Sequence, residues 1–284
     1  MKAGFIKTHE FICEQQQQWA QKCGIKFDNG GYTLNLPDNL YRPLIPDAEM
    51  EFGSGKGGEL GNNTKRGKMQ ALHSSSALVV NVFQYWREID RVDTIAKALG
   101  INIELTTMKF EQTYPTRLGG IPPHLDVELS NGDLRVAIES KFTEVYHRHT
   151  RRELKDAYIK THGLWAGLPK CESLAKLIHG ENGRKTSFSY LDAPQLLKHI
   201  LGLNSQSDAK PFKLIYLWYE YPSKESEKHR LEIEKFSDYL GGEVSFSDMT
   251  YQELFEALSM STGQLADKDY LSYLRERYFN NQIL

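Results

Sequence analysis

Two runs of strict alternation, His124-Leu-Asp-Val-Glu-Leu129 and Leu134-Arg-Val-Ala-Ile-Glu-Ser-Lys-Phe142, flank the tetrapeptide Ser130-Asn-Gly-Asp133. Polar and apolar side chains alternate with period two in both, the pattern of a strand with one buried face. Asn131-Gly132 between them is the strongest short-range signal for a two-residue type I′ hairpin turn. With that turn, residue numbers on facing positions sum to 263, so Asp126 faces Ala137, Glu128 faces Arg135 and His124 faces Glu139. Leu125, Val127, Leu129, Leu134, Val136 and Ile138 then share the face that is buried, and Asp126, Glu139 and Lys141 share the other. A sheet must therefore form the heart of the fold, because a lone hairpin cannot cover its own apolar face.

On the polar face Asp126 and Glu139 become diagonal neighbours, roughly 7–8 Å apart at the backbone. Two carboxylates so placed resist joint ionisation unless a cation lies between them. Mg²⁺ suits such a site, since its shell takes one or two carboxylates, waters and a phosphate oxygen. Lys141 would add an ammonium for the attacking water or for charge that develops on phosphorus. The plain alternative is a solvated strand face. Glu128 and Arg135 already supply an ordinary cross-strand pair, whereas Asp126 beside Glu139 is repulsive and structurally useless.

This Asp-(x)12-Glu-x-Lys arrangement, led by Pro123-His-Leu-Asp126, resembles the PD-(D/E)XK nuclease superfamily. The segments Leu72-His-Ser-Ser-Ser-Ala-Leu-Val-Val-Asn-Val-Phe83, Gln195-Leu-Leu-Lys-His-Ile-Leu201 and Leu217-Trp-Tyr-Glu220 are similar to blocks of a family of bacterial restriction endonucleases within it. The resemblance runs from about Leu60 to about Leu258. It implies an α/β fold with a restriction-endonuclease-like core, a mixed β-sheet flanked by helices. It also implies a Mg²⁺-dependent endodeoxyribonuclease acting on double-stranded DNA, with Mn²⁺ as a substitute ion, and a type II-like restriction enzyme as the expected kind. Asp126 and Glu139, helped by the main-chain carbonyl of Ser140, would hold the metal, and Lys141 would be catalytic. A DNA-repair-type nuclease and a non-cleaving DNA-binding protein on the same fold are the alternatives. A carboxylate-pair glycosidase has no use for the adjacent lysine. A homodimer and a separately encoded cognate DNA methyltransferase are expected partners besides duplex DNA.

Glu111, at the end of the preceding strand, is the candidate for an additional catalytic carboxylate, with Glu104 and Glu88 as rivals. Glu144 is placed to neutralise Lys141 or to orient water. Arg148, Arg151 and Arg152 in the basic run after the hairpin are candidates for contacts with backbone phosphate. Gln195 and Lys198 are further DNA-binding candidates, on the polar side of a helix whose Leu196, Leu197, Ile200 and Leu201 point inward; a plain helix surface including His199 is the competing reading. Gly53-Ser-Gly-Lys-Gly-Gly58 does not satisfy a phosphate-loop pattern, since Gly57 follows Gly55-Lys56 where Ser or Thr is required. It reads as a flexible connector, the alternative being a loop whose Lys65, Arg66 and Lys68 touch backbone phosphate.

The rest of the chain divides into an N-terminal helix and loop-rich extension over 1–60 and the nuclease domain with C-terminal helices over 61–284. Helices are expected at 6–23, 69–86, 88–99, 150–161, 171–179, 192–202, 224–240, 250–258 and 265–279, and strands at 101–111, 212–219 and 243–246. Residues 94–101 would suit the first helix of a helix-turn-helix, but a strand follows where the recognition helix must be. A net charge of −2 over 284 residues supplies no global attraction to nucleic acid, so any DNA contact must rest on local basic groups. Three widely spaced cysteines suggest a reducing compartment without a disulfide framework, and no apolar run approaches a membrane span. A cytoplasmic protein is expected.

Overall fold

The computed structural model describes residues 7–55, 57–62, 64–148, 154–180, 187–208, 210–261 and 267–279. Its centre is a five-stranded mixed sheet in the order β3-β4-β5-β6-β7, formed by Thr107–Thr113, His124–Ser130, Arg135–Lys141, Phe212–Trp218 and Ser245–Thr250. β3, β4 and β5 pair antiparallel in turn, while β5, β6 and β7 are parallel. β6, almost wholly apolar, is the buried strand between two parallel partners. Two short strands, β1 (Gly61–Asn62) and β2 (Lys65–Arg66), form a separate hairpin.

The helices are α1 (Thr8–Lys22), α2 (Pro46–Ser54), α3 (Ser75–Glu88), α4 (Val92–Ala98), α5 (Ala157–Lys160), α6 (Pro169–Gly180), α7 (Ala193–Asn204), α8 (Lys224–Leu240), α9 (Tyr251–Ser261) and α10 (Asp267–Leu274). Contacts group α3, α4, α9 and α10 together, and α5, α6, α7 and α8 together. Adjacent residues of β5 show which side each group covers. Ser140 meets Tyr251 of α9 (Oγ to OH, 2.6 Å), while Glu139 meets His199 of α7. Alternate residues of a strand face opposite ways, so the sheet lies between the two helical groups.

Local sequence chemistry sets several of these boundaries. Expected α8 is found at 224–240: Ser223 accepts the Ser226 amide at its start, and Gly241 turns left-handed (φ 49°) at its end. Thr250 and Glu253 cap α9 reciprocally, with the Glu253 amide donating to Thr250 Oγ1 (3.1 Å) and the Thr250 amide to Glu253 Oε2 (2.7 Å). The helix expected from Met69 begins only at Ser75, because Ser74 accepts the Ala77 amide (3.2 Å) and a separate 3-10 turn occupies Lys68–Gln70. The helix expected over 88–99 is shorter, Val92–Ala98, and the strand expected over 101–111 lies later, at Thr107–Thr113. Of the helix expected over 150–161, the described part forms one turn, Ala157–Lys160.

The central hairpin departs from its expected register by two residues. Val127 pairs with Ile138, Glu128 with Ala137, Leu129 with Val136 and Ser130 with Arg135, so facing numbers sum to 265 rather than 263. The cause is Asn131. Its side-chain Oδ1 accepts from both the Asp133 and Leu134 amides (2.8 Å each), and its own amide donates to the Leu134 carbonyl (3.1 Å). The turn therefore spans four residues, and neither Asn131 nor Gly132 has the positive φ that a type I′ turn demands. A slip of two keeps every side chain on its expected face. Leu125, Val127, Leu129, Val136 and Ile138 are fully buried, as the alternation requires. Glu128 and Arg135 do pair, diagonally, at 3.4 Å.

The N-terminal segment is held against the rest through Arg277, a buried guanidinium in the π-helical turn Arg275–Phe279 that follows α10. It donates to the Asn39 carbonyl (2.8 Å), the Tyr273 hydroxyl (2.6 Å) and Gln16 Oε1 (3.2 Å), and lies over the Trp19 ring at 4.3 Å. Removing one partner of a buried, charge-assisted network leaves the others unsatisfied, at a cost of about 3 kcal/mol or more. Arg277→Ala is accordingly expected to lower the urea midpoint strongly. A midpoint within error of wild type would show that the network adds nothing.

Candidate active site

The register that overturned the expected turn also brings the acidic residues closer. Extending the β4–β5 pairing one step past Val127–Ile138 puts Asp126 directly opposite Glu139, not diagonal to it, and Ala137 stands opposite Glu128. On the other side, Phe110 pairs with Val127 and Gln112 with Leu125, so Glu111 falls opposite Asp126. Three carboxylates thus form one row across three adjacent strands. The backbone departs from regularity along this row. Glu111 has a left-handed φ of 51°, which costs a non-glycine residue on the order of 1–3 kcal/mol and tends to occur at working sites. Asp126 takes over part of the β4–β5 ladder: its Oδ2 accepts the Ser140 amide at 2.6 Å. A strand residue's amide and carbonyl project to the same side, so the Ser140 carbonyl is also directed toward β4.

Glu139 is only 1 % exposed, and its two oxygens meet different cations or potential cations. The Lys141 ammonium bonds to Oε1, and His199 Nε2 of α7 approaches Oε2 at 2.9 Å. Within that contact Glu139 Oε2 and both His199 nitrogens complete no well-formed hydrogen bond. Burial raises the Asp126 carboxyl well above its ordinary range, and the charge of Glu139 raises it further. Burial pulls Glu139 the same way, but Lys141 and His199 outweigh it and hold its carboxyl low. For Lys141 burial acts downward, yet Glu139, Asp126 and Glu144 leave it raised to about 12, a permanent ammonium near neutral pH.

Glu111 is pushed up to about 7, first by burial and then by Glu59 and Glu139. Glu59 was not anticipated. It comes from the loop before β1, accepts a hydrogen bond from Ser76 of α3 at 2.7 Å, and lies 3.6 Å from Lys68. Ser76, at the start of α3, thus holds a loop glutamate close enough to act on Glu111. Glu88 instead pairs with Arg42 at 2.9 Å, and Glu104 is exposed. Glu144 accepts the Phe142 amide (2.8 Å) and adds to the field that keeps Lys141 charged.

His124 sits beside Thr113 in the ladder, not opposite Glu139, and its Nδ1 is 3.6 Å from Glu111. His199, read from the sequence as helix surface, is fully buried against Glu139. The signal that could have found it is its place between Leu197 and Ile200, flanked by the buried side of the helix. Gln195 and Lys198 are half-buried and line a cleft next to the carboxylates. Arg148 is exposed, and Arg151 and Arg152 lie outside the described residues.

Surplus negative charge, an unbonded buried carboxylate oxygen and a carbonyl turned to the same place suit a hard cation. Asp126, Glu139 and the Ser140 carbonyl are the groups that could hold one. Among the described residues no three His, Cys, Asp or Glu side chains are already gathered at ligating distance, so the main-chain carbonyl and solvent would have to complete the shell. No helix among the described residues is long and apolar enough to cross a membrane.

The family model described as Restriction Endonuclease associating with ARP matches residues 7–279, nearly the whole chain. Neither the curated proteins nor the solved structures contain a match. With a mixed sheet flanked by helices as its restriction-endonuclease-like core, this chain belongs to that family of restriction endonucleases.

Proposed function

We propose that the protein is a Mg²⁺-dependent endodeoxyribonuclease that hydrolyses phosphodiester bonds in double-stranded DNA as a type II-like restriction enzyme. The observation that carries this reading is the row of Glu111, Asp126 and Glu139 with the Lys141 ammonium on Glu139. One buried lysine cannot balance three carboxylates, and a divalent ion would.

Asp126, Glu139 and the Ser140 carbonyl would hold Mg²⁺, with Mn²⁺ as its substitute. Bound there, the ion supplies Lewis acidity to the scissile phosphate and lowers the pKa of water. Lys141, whose ammonium bonds to Glu139, serves as a charged donor rather than as a general base. It orients the attacking water and balances charge as it builds on the phosphoryl oxygens. Glu111, opposite Asp126 on the neighbouring strand, is the member of the row left to receive the water's proton. Ser140 is held by Asp126 at its amide and by Tyr251 at its hydroxyl, which restrains the residue whose carbonyl would face the ion.

Unmethylated phage DNA incubated with the purified protein and Mg²⁺ is expected to yield discrete bands. Chelation with EDTA should stop cleavage, and Mg²⁺ or Mn²⁺ in excess should restore it. Saturating the ion at about 100 times its Kd should also stabilise the fold by about 2.7 kcal/mol, visible as a raised Tm. Absence of cleavage under every ion and DNA tried, with DNA binding retained, would favour the non-cleaving reading.

A further inference from the structure

The β1–β2 hairpin is held together without a core of its own. Of its four strand residues Gly61 is half-buried, while Asn62, Lys65 and Arg66 are exposed. Short-range contacts replace burial. Asn62 Oδ1 accepts the Thr64 and Lys65 amides (2.9 Å each) and the Thr64 hydroxyl (2.8 Å), which orders the tip as an Asx turn. At the base a Cβ on Gly61 would run into the Gly67 amide, and one on Gly67 into the Glu59 carbonyl, so both positions require glycine.

This hairpin stands beside the carboxylate row. The loop leading to it lies on Glu111, since a Cβ on Gly55 would be 3.3 Å from Glu111 Oε2. Glu59, two residues before β1, and Lys68, two residues after β2, both act on the Glu111 charge. From Thr64 to Lys68 the chain carries three cations and no carboxylate. Arg66 is tied down, paired with Asp28 and 5.8 Å from the Tyr32 ring. Successive strand residues face opposite ways, so that anchor turns Lys65 outward. Lys65 is exposed, and among the described residues no ion pair or hydrogen bond engages its ammonium. The Lys68 side chain is 56 % exposed and only loosely paired with Glu59, at 3.6 Å.

A chain of net charge −2 with three carboxylates in one row repels a polyanion where it must approach. Cations fixed beside the row offset that repulsion, and a two-stranded ribbon has a shape that fits against a duplex. We propose that the β1–β2 hairpin is a contact arm for duplex DNA, in which Lys65 and Lys68 hold backbone phosphates flanking the bond that is cut. This rests on the nuclease reading above. It assigns part of the affinity and none of the sequence preference, because phosphate contacts set position and leave base identity to other groups.

Two measurements test it, both in the Lys141→Ala protein so that the duplex stays intact. Duplex binding is first followed against salt. The slope of log K on log salt should fall by about 1 in Lys65→Ala and by about 2 in Lys65→Ala/Lys68→Ala, and Lys65→Arg should keep it. The second measurement leaves the hairpin unaltered: lysines are acetylated briefly with and without duplex and mapped by mass spectrometry. Lys65 and Lys68 should be protected by the duplex. A slope unchanged in both alanine proteins, or equal acetylation of Lys65 in the two samples, would overturn the proposal. If the wild type cuts no duplex while the hairpin lysines are protected, the nuclease reading fails and the arm stands. If it cuts and they are unprotected, the arm alone fails.

Discussion

Asp126→Asn is expected to abolish cleavage and at the same time to make the protein more stable. Its carboxyl is raised by burial and by Glu139, so a charged Asp126 is an unfavourable element of the ion-free fold. Asparagine keeps an acceptor for the Ser140 amide and removes the charge. The sign of the gain follows from the direction of that shift, since a carboxyl raised by folding costs stability above its unfolded pKa. It is measured as a raised Tm, at about 2 °C per kcal/mol in a chain of this size. Cleavage should fall by about 10³-fold or more, the scale of losing one electrostatic element of a preorganised site.

Glu139→Gln should be equally inactive but move stability the other way. Glu139 is held ionised by Lys141 and His199, and its removal leaves the Lys141 ammonium buried without its partner. A loss of about 3 kcal/mol follows from breaking a buried pair on one side. Thermal unfolding of the two variants, with cleavage assayed in parallel, separates the functional reading from a structural one. A pair of carboxylates that served only the fold would be destabilised by both substitutions. Two inactive proteins with opposite Tm shifts are the expected result.

The second large effect is at His199, which is placed to act through another group: its Nε2 is 2.9 Å from Glu139 Oε2, and both side chains are buried. Groups that orient a ligating carboxylate typically matter by about 10–100-fold in metal affinity or activity. His199→Ala should therefore raise the Mn²⁺ concentration needed for half-maximal cleavage by that factor. His199→Gln retains an amide donor in similar volume and should recover part of the loss. If saturating Mn²⁺ leaves both variants at wild-type rate and half-saturation, His199 is a packing residue. A purely structural role would also lower Tm without any change in ion dependence, and the two readouts tell these apart.

How the site was legible in the sequence follows from the physics of alternation. Period two assigns faces without reference to register, which is why Asp126, Glu139 and Lys141 share a face although the expected turn was wrong. Asn131-Gly132 was ambiguous because Asn can supply either a left-handed backbone or a side-chain acceptor, and here the acceptor prevailed. Caps marked α8 and α9 because they are local interactions of a few residues. The start of α3 and the limits of β3 were misplaced, since apolar runs there fit helix, turn or strand until a neighbour selects one.

Short stretches of chain encode the hairpin, its two faces, the strand–helix–strand succession over 212–246 and the acid-acid-lysine motif. Long-range packing brings Glu111 into the row, sets Glu59 behind it, and places His199, from a helix about 60 residues later, against Glu139. Those three contacts depend on how the loop before β1, the edge strand β3 and helix α7 pack against the sheet. Nothing in local propensity or periodicity carries that information, because it resides in contacts between segments far apart in the chain.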